Sequence, residues 1–185
     1  MGKLNESEQE FVRKYHRNLL ILSTISTGVL FSVLIPAYTG HLDLGRNTAP
    51  LNTELDRLFY TLKHLSVQLA WIVISMYYVI YHRIGTPALD PTKGYEMLCQ
   101  TPKNMLTNSV EHGLVFIISQ LIMSIDMAPD MCRRMIPTIN LMYIVGRILY
   151  VLGYPCNRSF GFVIFNFITL LCVSYNLNQL IGVYA

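Results

Sequence analysis

Asn108, Glu111 and His112 stand at i, i+3 and i+4, so on a helix they share one face. Arg147, Tyr150 and Tyr154 stand at i, i+3 and i+7, again on one face, and Arg158 follows four residues later. Acid, amide, guanidinium and phenol groups in such a pattern can do two kinds of work. Glu111 and Arg147 can pair within the chain and fix helix register, with Asn108 and the tyrosines completing the hydrogen bonds. Facing an open space, the same groups can take an anionic, peptide-like ligand. Arginine presents a planar fork to a carboxylate, and glutamate holds an ammonium group. Asparagine both donates and accepts, and the tyrosines give apolar walls with polar tips. Spacing alone leaves the two open.

The elements that carry these residues are apolar. Of the 185 residues, 52% are hydrophobic and 14% charged, against about a quarter charged in soluble domains. A helix crosses a bilayer with about 20 mostly apolar residues. The runs 19–39, 65–81 and 160–183 contain no Asp, Glu, Lys or Arg. A water-soluble helix of that length would show a polar stripe. The runs 105–127 and 136–154 are interrupted only by Glu111, His112, Asp126 and Arg147. The fold class expected is therefore an all-α integral membrane protein of about five spans. Its parts would be an N-terminal segment 1–18, a first transmembrane helix 19–39, a loop 40–64 and a four-helix membrane domain 65–183. Pro36 is placed to kink the first span, and Pro129 and Pro155 to end the third and fourth. Asn166 is a candidate for a hydrogen bond between helices.

The 19–39 run is longer than the core of a cleaved signal, and three glutamates precede it, so it reads as a retained helix. The myristoylation pattern fails because Glu6 stands at its Ser/Thr position. Positive charge in short loops marks the cytoplasmic side. Lys3, Arg13, Lys14, Arg17, Arg83, Lys93, Lys103 and Arg158 fall on one side, eight in all. Arg46, Arg57, Lys63, Arg133 and Arg134 fall on the other, five in all. The N-terminus is thus expected in the cytoplasm, and the sequons at Asn5 and Asn157 are expected to stay unmodified.

Several chemistries find no support. The net charge of +3 comes without a basic block, so no nucleic-acid partner is expected. Cys99, Cys132, Cys156 and Cys172 form no CxxC and suggest neither a disulfide framework nor a metal site. Nucleophile–base–orienter order, phosphate loops, paired halves and broken transporter helices are likewise not seen in the sequence. His64 and His82 read as interfacial, Asp126 as solvated and the nine methionines as gap-fillers.

Asn108-Ser109-Val110-Glu111 is similar to an N-x-x-E motif, and Arg147 with Tyr150 and Tyr154 to an R-x-x-[YH]-x-x-x-Y stretch. With Arg158-Ser159-Phe160-Gly161-Phe162, close to R-S-x-x-Y, they make 65–183 resemble the MAPEG superfamily, the membrane-associated proteins of eicosanoid and glutathione metabolism. The resemblance implies a four-helix bundle assembled as a homotrimer, with glutathione between subunits near the cytosolic face. Asn108, Glu111, Arg147, Tyr150 and Tyr154 would then contact glutathione, and Arg158 would be catalytic, stabilising the thiolate. Three departures stand against the enzymes. Asn104 replaces an arginine, the link from Tyr154 to Arg158 is short, and Phe162 lacks a hydroxyl. The extra first helix resembles the mattrin branch. That implies an endomembrane protein of the Golgi, lysosome or endoplasmic reticulum, acting in trafficking through membrane-protein partners or a bound amphiphile. The alternative is a glutathione-dependent transferase or peroxidase acting on lipophilic electrophiles.

Overall fold

The computed structural model describes residues 6–184, apart from 47, 49 and 155–157. Five helices follow one another: α1 Glu6–Thr39, α2 Glu54–Arg83, α3 Gln100–Asp126, α4 Pro129–Gly153 and α5 Ser159–Tyr184. All five are long and apolar enough to cross a membrane. The sequons at Asn5 and Asn157, the stop expected at Pro155 and Cys156 lie outside the described residues.

Helices α2 and α4 begin well before the apolar runs expected for them, and for different reasons. At α2 a capping box closes the first turn. The Thr53 hydroxyl accepts from the Asp56 amide at 3.1 Å, and the Thr53 amide donates to the Asp56 carboxylate at 3.1 Å. Two of the orphan donors at a helix start are thereby satisfied. The polar first turns of α2 hold Arg57 and Lys63, which the hydropathy pattern assigns to a loop. At α4, Pro129 sits in the first turn, where its missing N–H costs nothing. It opens α4 rather than merely closing α3. Pro36 lies inside α1, three residues from its end. In the second loop, Gly85 and Gly94 take the left-handed conformation that glycine accepts without strain.

Arg57 is buried and ties α2 to the end of α3. Its guanidinium donates to the Ser124 carbonyl at 3.2 Å and the Ile125 carbonyl at 2.8 Å. Those carbonyls have no partner in their own helix, and a cation there meets the negative end of the macrodipole. Pro137 inside α4 frees another carbonyl, that of Arg133 four residues back. The Tyr60 hydroxyl donates to it at 3.1 Å. In a membrane such a freed group must find a protein partner.

Helix α4 is the most enclosed element. Among the described residues it packs on all four other helices, most closely on α5, while α1 packs mainly on α4 and α5. The crossing of α4 and α5 is set by glycine. A Cβ on Gly161 would collide with the backbone of Tyr150 and Gly146, and one on Gly146 would reach the Phe165 nitrogen at 2.9 Å. Small residues that let backbones approach replace the hydrophobic drive that lipid removes. The same crossing brings Arg147 and Tyr150 against Phe165. Deeper in the bundle, Asn140 donates to Gln120 at 2.7 Å, joining α4 to α3. The amide of Asn176 donates to the Ser119 carbonyl at 2.9 Å. Among the described residues Asn176, and not the expected Asn166, is an amide of α5 that bridges helices.

Candidate functional site

Arg147 is only 1% exposed, the largest side chain enclosed in the protein. It forms four hydrogen bonds, all inside the chain. Nη1 donates to the Asn108 side-chain oxygen at 2.6 Å, and Nη2 donates to the Asn108 carbonyl at 2.9 Å. Nε and Nη2 donate to the Tyr143 hydroxyl at 3.2 and 3.0 Å. One face of the guanidinium lies 3.9 Å from the centre of the Phe165 ring, a cation–π contact. Tyr143 is held in turn by a stack on Phe116, with ring centres 3.9 Å apart. A buried ion must be compensated or it destabilises the fold strongly. Here neutral oxygens and an aromatic face do so. Among the described residues no carboxylate lies within ion-pair distance of Arg147.

The Glu111–Arg147 ion pair, one of the two arrangements the spacing allows, is therefore not made. Helical geometry gives the reason. Three residues advance a helix by about 300°, leaving Glu111 about 60° round from Asn108. Asn108 points at α4, and that offset turns Glu111 out to an exposed position on α3. His112, offset about 40° the other way, turns inward. It meets Phe162 and Phe165 edge-on, with ring centres 5.8 and 5.1 Å away.

Tyr150 is buried one turn further along α4, its ring 5.7 Å from that of Phe165 and 5.9 Å from that of Tyr154. Tyr154 closes α4 and is half-buried. Arg158 is exposed beside it, the guanidinium 5.7 Å from the Tyr154 ring centre. Asn108, Arg147 and Tyr150 thus come together in the interior, Tyr154 and Arg158 form an outer step, and Glu111 stands apart. Tyr143 and Phe165 complete the group and were not singled out from sequence. The spacing of Tyr143 to Arg147, i to i+4 on one helix, was the available sign for the first. Phe165 left no sign, because its place depends on the crossing at Gly146 and Gly161.

Chemically, the inner group is a closed cage. A ligand carboxylate could bind the Arg147 fork only by displacing Asn108 or Tyr143. The outer groups Glu111, Tyr154 and Arg158 are the ones that remain accessible. Among the described residues no set of three His, Cys, Asp or Glu side chains converges on a point where a metal ion could be held. Comparison with protein-family models, curated proteins and solved structures gives no match.

Proposed function

We propose that this chain is a mattrin-like, five-span endomembrane protein that acts through membrane-protein partners or a bound amphiphile, in secretory or lysosomal trafficking. One observation carries most of the weight. The arginine that would grip glutathione is already held by Asn108, Tyr143 and Phe165, while Glu111 is turned outward from a membrane-spanning helix. An ionisable group on the outer face of a span is costly against lipid. Its natural neighbour is a polar group on another protein. The apolar helices suit contact with a lipid bilayer, and the charge bias of the loops supports an N-terminus in the cytoplasm.

The second reading keeps glutathione as cofactor and makes the chain a transferase or peroxidase for lipophilic electrophiles. It is favoured by the exposed Arg158 and the half-buried Tyr154, which lie beside each other at the same end of the bundle as Asn108 and Arg147. A homotrimer would let a second subunit supply what one chain lacks, with Arg158 stabilising the thiolate.

A photo-crosslinking amino acid at position 111, in the full chain in native membranes, separates the readings. Adducts with a different membrane protein support the partner reading. Adducts confined to copies of the same chain, together with glutathione-dependent turnover that Arg158→Ala abolishes, support the enzyme. Adducts to lipid alone would remove the outward Glu111 as an argument for either.

A further inference from the structure

A second feature lies at the opposite face of the bundle, beyond the site described above. Between α1 and the bodies of α3, α4 and α5 runs a cleft of about 300 Å³, lined wholly by apolar and aromatic side chains. That volume is at the lower end of small-molecule sites. Four methionines, Met123, Met127, Met131 and Met135, form its inner wall, with Leu171 from α5. Methionine is the side chain that best moulds to a flexible apolar guest. On the α1 side the lining residues Ile35 and Tyr38 are 56% and 61% exposed, so the cleft opens sideways to the membrane.

A cation stands next to two of the lining residues, Tyr38 and Met135. Arg134 stands between Met131 and Met135 in sequence, and its Nε donates to the Asp130 carbonyl at 3.2 Å. Its guanidinium lies over Gly40, which follows α1 two residues after Tyr38. A Cβ there would collide with it, and the Gly40 φ of +87° also favours glycine. The adjacent Arg133 has Asp43 at 3.0 Å and Asp130 at 3.8 Å. Arg134 has no carboxylate within ion-pair distance among the described residues. An apolar slot open to lipid with an uncompensated guanidinium beside it fits one kind of guest. Its chain is hydrocarbon and its head is an anion that suits the planar fork.

We propose that this cleft binds the acyl chain of an anionic phospholipid from the leaflet at the α1–α2 loop, with its phosphate held by Arg134. The site shares no residue with the Arg147 cage, so it stands or falls separately from the proposed function. Should both hold, the phospholipid is the bound amphiphile.

The test uses the full-length protein in phosphatidylcholine nanodiscs containing a small fraction of phosphatidic acid with a diazirine in its acyl chain. After photolysis, adducts are mapped by mass spectrometry. They should concentrate on Met123, Met131, Met135 and Leu171. A phosphatidylcholine carrying the same diazirine should label the cleft about tenfold less, as should the phosphatidic acid probe on Arg134→Gln, the loss expected of one charge-assisted contact. Leu171→Trp, which fills the cleft at a half-buried position, should block labelling there. Equal labelling by the neutral probe on the unmodified protein would overturn the anionic recognition, whether or not Arg134→Gln folds. Adducts spread as densely over exposed α2 residues such as Ile74 and Tyr77 would overturn the site itself.

Discussion

A guanidinium enclosed in a membrane protein needs its charge spread over many weak partners when no carboxylate reaches it. Asn108 provides two of the four acceptor contacts to Arg147, one from its side chain and one from its backbone. Asn108→Ala removes the side-chain contact and leaves a buried charged donor unmet. The expected loss is about 2–3 kcal/mol, read as thermal unfolding in detergent. Arg147→Leu removes the charge itself and leaves the neutral oxygens of Asn108 and Tyr143 without their donor, and should cost about 1–3 kcal/mol as a single change. Combined with Asn108→Ala it should show coupling of about 1–3 kcal/mol, because the two changes delete one shared contact. Glu111→Gln touches neither partner and should stay within about 0.5 kcal/mol of the parent. A loss as large as that of Asn108→Ala would restore the ion pair that spacing allows. The sequence made Asn108, Arg147 and Tyr150 legible as a group, because helical periodicity fixes which residues share a face. It left the partner of Arg147 open because Asn108 and Glu111, within one face, differ by enough rotation to point one inward and the other out. Only packing against α4 decides which of them that is.

At the scale of the element, hydropathy finds a span but not where its helix starts. The expected second span opened at Leu65, yet α2 starts at Glu54. Its first turns are polar, and what fixes them is the Thr53–Asp56 capping box, a signal that an apolar window ignores. Thr53→Ala should cost about 1 kcal/mol without moving the apolar part of the helix. Helix contacts were less legible still. Nothing in the composition of the α4 and α5 runs says that Gly146 meets Phe165 or that Gly161 meets Tyr150, since that depends on the crossing of two segments. Gly161→Val should force α4 and α5 apart, costing about 3 kcal/mol or more by overpacking. Because Phe165 would retreat from Arg147, the variant should also lose most of the coupling between Asn108 and Arg147. A variant that unfolds less readily than Glu111→Gln would show the close crossing to be unimportant.

The whole molecule has α4 at its centre and α1 laid against α4 and α5 at one side. Many of its large apolar side chains face outward, as a bilayer requires, and the polar groups are sorted by role. Arg57 and Tyr60 satisfy backbone carbonyls near one face. Asn140, Gln120 and Asn176 bridge helices in between, and Arg147 is caged toward the other face. Five spans were legible because bilayer thickness fixes the length of an apolar run. How those spans share their polar groups was not, because each hydrogen bond joins helices distant in sequence. The central claim is that the Arg147 group serves the fold rather than glutathione. The most direct test is calorimetry of the purified, detergent-solubilised chain with millimolar glutathione, with Glu111→Gln and Arg158→Ala as controls that leave the cage intact. The account predicts no heat of binding from any of the three. Saturable binding by the parent would contradict it, and its loss in either control would make the glutathione-dependent enzyme the better reading.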